Sequence, residues 1–177
     1  MIARKVLLKT LLWSGLVWFS SLSLNANSDG FEAMGMVGIS ASGNSSYDES
    51  SLADAAIGYS INGYAARVGL TYLGEFSLEN SREEAEIEIY GGYLSFGKII
   101  NFDHFGLEIG GGALFSKAEA TFDSRELDSS SETNPFAYVW FVKDVASFFA
   151  IQGGWKHFND VNGTNINTLQ VGVRFSF

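Results

Sequence analysis

Cysteine is absent from this sequence and proline occurs only once. Without cysteine, the chain has no disulfide and no thiolate for metal binding or nucleophilic catalysis. With a single proline, almost nothing interrupts the hydrogen-bonded ladder of a β-sheet. Charged residues are also scarce, at 18% of the chain, against about a quarter in soluble domains. These shortages exclude a disulfide-stabilised scaffold and favour long, uninterrupted strands.

Long apolar runs are missing as well, apart from one at the N-terminus. Val6–Phe19 follows a basic start and is mostly apolar, which is typical of a secretory signal peptide. The run is shorter than the roughly 20 residues of a membrane-spanning helix. We therefore predict a cleaved signal over residues 1–26 and one domain over residues 27–177. Cleavage after Ser23 and an uncleaved anchor helix are the alternatives.

Basic residues are few, since the sequence has 11 basic residues and 20 acidic ones. The predicted signal contains three of the basic residues, so that eight would face 20 in the mature chain, a net charge of −12. Such a charge repels nucleic-acid phosphates, and no nucleic-acid partner is expected. Most of the acidic residues, Asp54 among them, lie in or beside long connections between predicted strands and predict an acidic rim.

Aromatic residues and glycine are abundant, with 15 Phe, 7 Tyr, 4 Trp and 20 Gly. Aromatic side chains are typical of strands. Apolar and polar residues alternate in blocks of about ten, the segment length of membrane-barrel strands. This alternation predicts eight strands, at about residues 31–41, 53–61, 64–73, 86–100, 105–116, 136–142, 148–158 and 167–177.

The C-terminal strand shows the alternation most clearly. Its apolar residues fall on one face and its polar residues, with Arg174, fall on the other, because strand side chains alternate with period two. The chain ends on an aromatic residue, Phe177. A membrane barrel needs an outward apolar face down to the end of its closing strand. The apolar face consists of Leu169, Val171, Val173, Phe175 and Phe177.

Long and short connections alternate along the chain. Asn62–Gly63 is a strong hairpin signal, and residues 101–104 and 143–147 are also short. Residues 43–52, 74–85 and 117–134 are long, and residues 159–165 are intermediate. In an up-and-down barrel, this alternation places the long connections at one end and the short ones at the other, as in outer-membrane barrels.

Alternation alone does not separate a membrane barrel from a soluble lipocalin-type barrel, in which the apolar row points inward. Arg67 and Arg174 lie within strands, opposite the apolar row, and an Arg facing lipid at mid-bilayer costs about 2–4 kcal/mol. The predicted signal and the terminal Phe favour the membrane alternative, in which both arginines point inward. The aromatic residues expected on the lipid side are Tyr59, Tyr72, Tyr93, Trp140 and Trp155.

The interior of an eight-stranded barrel is just wide enough for side chains to fill it. Charged residues inside must pair, because an unpartnered buried charge is costly. We therefore predict an interior ion-pair network rather than an open pore. Its members are Glu32, Arg67, Glu86, Glu88, Glu108, Lys156 and Arg174.

The signal, the eight alternating strands, the loop pattern and the terminal V-G-V-R-F-S-F resemble the small outer-membrane β-barrel family. Relatives of this family include the transmembrane domain of outer-membrane protein A and the Ail/OmpX-type barrels. The resemblance implies a closed, eight-stranded, antiparallel, up-and-down transmembrane β-barrel, monomeric and located in the bacterial outer membrane. It also implies that Val173, Phe175 and Phe177 act as a recognition signal for the barrel assembly machinery. Lipid and lipopolysaccharide would surround such a barrel.

The leading functional expectation is a structural, adhesive or surface-interaction role through the acidic external loops, with a possible host or surface ligand. One alternative is a lipid A-modifying, deacylase-like enzyme, but His157-Phe158-Asn159 offers Asn159 where that type has a serine hydroxyl. A narrow diffusion channel is another alternative. No catalytic, cofactor or metal site is predicted.

Overall fold

The computed structural model describes residues 29–44, 47–77, 85–122 and 125–177. The predicted signal, residues 1–26, lies outside this part of the chain. No helix in the described residues combines the length and hydropathy needed to cross a membrane. The structure consists of eight strands: β1 (Gly30–Ser42), β2 (Ser50–Ile61), β3 (Tyr64–Ser77), β4 (Ala85–Asn101), β5 (Gly106–Phe122), β6 (Arg125–Ala146), β7 (Phe149–Val161) and β8 (Thr164–Ser176).

The eight strands form one closed antiparallel barrel. Each strand pairs with its neighbours in chain order, and β1 pairs with β8 from Glu32↔Ser176 to Ser42↔Ile166. The predicted fold class is therefore confirmed. Asn62 and Asn162 have φ values of 51° and 50°, and each precedes a glycine with positive φ. These are the backbone angles of two-residue hairpin turns.

The side-chain alternation sorts the residues into an outward and an inward set. On β1, Phe31, Val37 and Ile39 are exposed, whereas Glu32 and Met34 between them are buried. The exposed apolar residues form a belt around the barrel, and the buried residues fill its lumen. The belt includes Phe31, Val37, Ile39, Ile57, Val68, Leu70, Leu94, Phe96, Ile109, Phe115, Phe141, Ile151, Leu169 and Val171.

Two strands face the opposite way from the prediction. On β6, Tyr138 and Trp140 are 2% and 1% exposed and lie in the lumen, and on β4 the same holds for Tyr93. The prediction that Tyr93 and Trp140 face lipid is therefore wrong. Glu86 and Glu88 share the outward side of β4 with exposed Leu94 and Phe96, so their assignment to the lumen is also wrong. The reason is that large aromatic residues fill this lumen, so an aromatic row does not mark the lipid side.

The predicted long connection over residues 117–134 is also wrong, because both neighbouring strands continue through it. The β5–β6 ladder runs to Phe122↔Arg125. On β3, an irregularity between Tyr72 and Gly74 shifts the register, and Gly74 has φ 108°. Strands β4, β5 and β6 contain 17, 17 and 22 residues, whereas β1 and β7 contain 13 each. The extra length lies at one end and forms a sheet that extends beyond the belt.

The two ends of the barrel differ accordingly. One end, the turn end, carries residues 62–63, 102–105 and 147–148 together with the start of β1 and the end of β8. The other end, the loop end, carries the end of β1 and the start of β2, the outer ends of β3–β6, and residues 162–163 between β7 and β8. We call the outer ends of β3–β6, residues 74–77, 85–91, 116–122 and 125–134, the projecting sheet.

Candidate functional site

Four charged side chains from four strands meet in the lumen near the turn end. Arg67 binds Glu32 and both carboxylate oxygens of Glu108, with 2.8 Å between Arg67 Nη2 and Glu108 Oε2. Arg174 Nη2 donates to the same Glu108 oxygen at 2.6 Å, and its Nη1 lies 3.8 Å from Glu32 Oε2. The Tyr138 hydroxyl donates to Glu108 Oε1 at 2.8 Å. Glu108 therefore receives donors from three strands.

Glycines opposite these residues make room for them. A Cβ on Gly58 would lie 2.6 Å from Cγ of Arg67, its partner on the neighbouring strand. A Cβ on Gly97 would lie 2.3 Å from the Tyr138 hydroxyl and 2.9 Å from Glu108 Oε1. Large charged and aromatic side chains thus fit the narrow lumen because glycine lies beside them.

A second ion pair lies farther from the turn end. Lys156 Nζ donates to Asp54 Oδ2 at 2.6 Å, and the Tyr93 hydroxyl donates to Asp54 Oδ1 at 2.6 Å. The ammonium also lies 4.4 Å from the ring centroid of Tyr93 and 5.2 Å from that of Phe136, within the range of cation–π attraction. The sequence analysis placed Asp54 in the acidic rim. The period-two pattern of β2, in which Asp54 falls on the side opposite exposed Ile57, is the sequence signal that could have assigned it to the lumen.

The two clusters are each electrically balanced. Glu32 and Glu108 face Arg67 and Arg174, and Asp54 faces Lys156. Their side chains are no more than 6% exposed. A buried pair in which every charge has a hydrogen-bonded partner is tolerated, whereas a single buried charge is not.

Apolar side chains, together with the buried pair Ser116 and Asn134, lie in the lumen between the second pair and the loop end. Leu73, Leu114, Phe158 and Ile166 are fully buried there. At the turn end, a cavity of about 230 Å³ is lined by Glu32, Arg174 and residues of the short turns. The described lumen is thus filled over most of its length.

The predicted lumen residues therefore divide into three groups. Glu32, Arg67, Glu108 and Arg174 form one cluster, Lys156 belongs to the other, and Glu86 and Glu88 lie on the outward side. Tyr93, Tyr138 and Asp54 join the clusters without having been predicted.

The C-terminal residues complete the barrel wall. Phe177 N donates to Phe31 O at 2.7 Å, and Phe31 N donates to Phe177 O at 3.0 Å. Val173 and Phe175 lie on the side of β8 that also carries exposed Leu169 and Val171.

His157 lies on the outward side of β7. Its ring stacks on Trp155 at 5.6 Å, and its Nδ1 lies 2.9 Å from Asn167 Oδ1. Asn159, at the position that would need a hydroxyl, is exposed. Within the described ranges, no group of three or more His, Asp or Glu side chains is arranged to hold a metal ion.

The projecting sheet carries carboxylates in register across three strands. Glu75 on β3 is opposite Glu88 on β4, which is opposite Glu119 on β5. Lys117 Nζ and the Tyr90 hydroxyl donate to Glu119 Oε1 at 2.6 and 2.7 Å. The hydrogen bond to Glu119 raises the pKa of Lys117 above its usual value. This surface is acidic and polar, unlike the belt below it.

Strand β6 forms the edge of the projecting sheet. Its ladder with β7 begins only at Phe136↔Phe158, after Pro135. A residue without an N–H is tolerated at a sheet edge. Side chains rather than a backbone ladder join β6 to the β7–β8 turn, since Asn134 Nδ2 donates to Asp160 O at 2.7 Å and Asn162 N donates to Glu132 Oε2 at 3.0 Å.

No protein-family model and no curated protein matches the sequence significantly, but solved structures do match the fold. The structure of Neisserial surface protein A (NspA) superposes with a TM-score of 0.67 at 15% identity, over 84% of this chain and 97% of that one. The fold is that of the small outer-membrane barrels. The predicted resemblance is thereby confirmed at the level of fold.

Two further structures support this assignment. Ail, the attachment invasion locus protein of Yersinia pestis, has a TM-score of 0.61 at 15% identity, over 85% of this chain and 100% of that one. The N-terminal barrel domain of Pseudomonas aeruginosa OprF has a TM-score of 0.57 at 10% identity, over 84% and 98%. Ail has also been solved in complex with the heparin analogue sucrose octasulfate. At these identities, the likeness concerns the fold alone.

Proposed function

We propose that this chain is an outer-membrane surface protein whose filled barrel holds the projecting sheet outside the cell, where the sheet binds a partner. This proposal combines placement in the membrane, a lumen that does not conduct and an acidic binding surface. The projecting sheet is the observation that carries it. The mature chain begins after the N-terminal signal.

The belt supports placement in the membrane. From Phe31 to Ile39 on β1 the outward side is apolar over about 26 Å of strand, or about 20 Å along the barrel axis at the usual tilt. The apolar band of outer-membrane barrels is about 25 Å tall. The charges of the two ion-pair clusters lie inside, away from lipid.

The filled lumen favours a structural role for the barrel over a role in transport. Its charges are paired, and Leu73, Leu114 and Phe158 block the route toward the loop end. The barrel is thus a rigid, monomeric support for what lies outside it. The outward C-terminal residues Val173, Phe175 and Phe177 serve as the signal for the barrel assembly machinery.

The charge of the projecting sheet restricts the partner. Glu75, Glu88 and Glu119 lie in register, and the lysine beside them, Lys117, is already bonded to Glu119. Electrostatic complementarity therefore favours a basic or neutral polypeptide over a sulfated polyanion. An edge strand such as outer β6 also suits an extended segment, which adds to a sheet through main-chain hydrogen bonds.

The test uses folded protein in lipid nanodiscs. Oligolysine and sucrose octasulfate are titrated by calorimetry against the wild type and against a variant with E75Q, E88Q and E119Q. We expect wild type to bind oligolysine and not the octasulfate, and the triple variant to bind oligolysine at least several-fold more weakly. The matched control is D103N at the turn end, which should bind as wild type does. Octasulfate binding by wild type would contradict the proposal.

Location is tested separately. The protein should fractionate with outer membranes on a density gradient and show a folded, faster-migrating band on unboiled gels. Recovery in the soluble periplasmic fraction would contradict the placement in the membrane.

A further inference from the structure

Three lysines with described side chains point outward from the barrel wall, and two of them have an oxygen acceptor within the protein. Lys117 donates to Glu119, and Lys143 donates to the main-chain oxygen of His104 at 2.6 Å. Lys98 differs, because its ammonium contacts the ring of Tyr64, 5.8 Å from the centroid. Among the described residues, no carboxylate forms a salt bridge with it.

The surroundings of Lys98 are apolar and exposed. Phe96 and Ile100 precede and follow it on the outward side of β4, at 59% and 39% exposed. Its neighbours across the ladders are Tyr64 on β3 and Ile109 on β5, at 42% and 48% exposed. The Tyr64 and Phe96 rings stack at 5.6 Å with 16° between their planes. Lys98 therefore carries an uncompensated positive charge on the lipid-facing side, beside an aromatic pair.

We propose that Lys98, with Tyr64 and Phe96, is a binding site for the phosphate of an anionic phospholipid in the leaflet at the turn end. This inference rests on the membrane placement proposed above. A lipid-facing cation needs a counter-ion, and the protein supplies none in its described part. The membrane supplies phosphate at the level that the side chain reaches.

The position of Lys98 near the turn end, and so near the membrane edge, supports this assignment. Lys98 is three residues from Asn101, the end of β4, which corresponds to about 10 Å along the strand. A lysine near the membrane edge extends its ammonium to the headgroup level while its methylene groups stay in the apolar region. Tyrosine is favoured at the same level, where its ring lies in the apolar region and its hydroxyl meets water. Tyr64, at the start of β3, fits that position.

The preference for an anionic lipid follows from charge. A zwitterionic headgroup brings its own ammonium, which repels Lys98, whereas phosphatidylglycerol brings only the phosphate. A basic residue near an anionic surface gains about 1 kcal/mol, which is about five-fold in affinity. Inorganic phosphate lacks the acyl chains that cover the exposed Phe96 and Ile109, so it should compete poorly.

Native mass spectrometry of the folded, detergent-solubilised protein tests the site. Phosphatidylglycerol and phosphatidylcholine are titrated separately, and the dissociation constant of the first lipid adduct is measured. We expect wild type to prefer phosphatidylglycerol, and K98Q to lose about five-fold in affinity for it with little change for phosphatidylcholine. K98R keeps the charge and should bind as wild type does. Ten-fold excess inorganic phosphate over the lipid should displace none of it.

Two matched lysines serve as controls. K117Q and K143Q should leave phosphatidylglycerol affinity unchanged, because both ammonium groups already have acceptors in the protein. Equal affinity of K98Q and wild type, an equal loss in K117Q or K143Q, or displacement by inorganic phosphate would overturn the inference. Each variant is also run on unboiled gels and floated with phosphatidylcholine vesicles. A variant that folds and floats but does not prefer phosphatidylglycerol contradicts the lipid site alone, whereas wild-type protein that does not float contradicts the membrane placement.

Discussion

Lys156 on β7 and Asp54 on β2 form a salt bridge across the lumen, with 2.6 Å between Nζ and Oδ2. The two strands are not neighbours in the barrel. The bridge therefore links opposite parts of the wall and holds the lumen filled at this level. Because both side chains are at most 2% exposed, breaking the bridge leaves a buried charge without water or an opposite charge.

The first prediction concerns this bridge. K156M and D54N should each lower the free energy of unfolding by about 3–5 kcal/mol, the usual cost of leaving one member of a buried pair alone. The double variant should be more stable than the sum of the two losses implies. Urea unfolding of the protein in vesicles, followed by tryptophan fluorescence, measures all three. A loss below about 1 kcal/mol in K156M would contradict the prediction.

A second prediction concerns glycine inside the barrel. A Cβ on Gly112 would lie 2.0 Å from Leu94 O and 2.7 Å from the Phe136 ring. G112A should therefore destabilise the barrel by at least the roughly 1–3 kcal/mol of ordinary overpacking. The fraction that reaches the faster-migrating form on unboiled gels measures the effect. G35A is the control, since no atom lies within 4 Å of its Cβ position. We expect G35A to reach the faster-migrating form as wild type does, and equal fractions for G35A and G112A would contradict the prediction.

The third prediction separates two roles of Phe177. Deleting it removes two main-chain hydrogen bonds with Phe31 and the terminal aromatic ring together, and should impair assembly strongly. F177A keeps the main chain and removes only the ring. If the ring is the assembly signal, F177A should accumulate unassembled in cells yet refold normally as purified protein. Normal outer-membrane levels of both variants would argue against the signal.

The filled lumen leads to a fourth prediction. Wild-type protein in planar bilayers should show no conductance steps comparable with those of a general porin measured in the same chamber. Leu73 and Leu114 are 0% exposed, and we expect them to interrupt a water path at this level. Porin-sized steps would favour the channel alternative.

The last prediction concerns His157. Its ring stacks on Trp155 and its Nδ1 lies beside Asn167, so it is not held against a hydroxyl nucleophile. Cells that express wild type and cells that express H157A should therefore contain the same lipid A. Mass spectrometry of extracted lipid A measures this, and an acyl pattern changed by wild type alone would support the enzyme.

The sequence predicts the strands and their number well, because period-two alternation is a local property. Seven predicted strands begin within three residues of the observed ones, but the sixth begins at Arg125 rather than at residue 136 and is far longer than predicted. Residues 125–135 are polar, without the alternation that marks a strand between lipid and lumen. Outside the membrane both sides of a strand meet water, so that pattern disappears.

The sidedness of individual strands is harder to predict. Arg67 and Arg174 indicate their side correctly, since an arginine is costly in lipid. Tyr93 and Trp140 mislead, because an aromatic ring is stable both in lipid and in a packed lumen. The partner of each charge is set by the curvature of the closed sheet, which brings Arg67 to Glu108 across 41 positions of sequence. A local sequence pattern does not predict contacts between residues so far apart in the chain.

The pairing of β1 with β8 has a consequence for biogenesis. One edge of β1 can pair with β2 as soon as β2 has been made, but the other edge has no strand partner until β8, the last strand, has been made. During that interval the nascent chain exposes apolar residues and a free strand edge, the conditions under which polypeptides aggregate. A chain with this topology is therefore open to association with other chains until β8 has been made, and closure of the barrel removes the exposed edge.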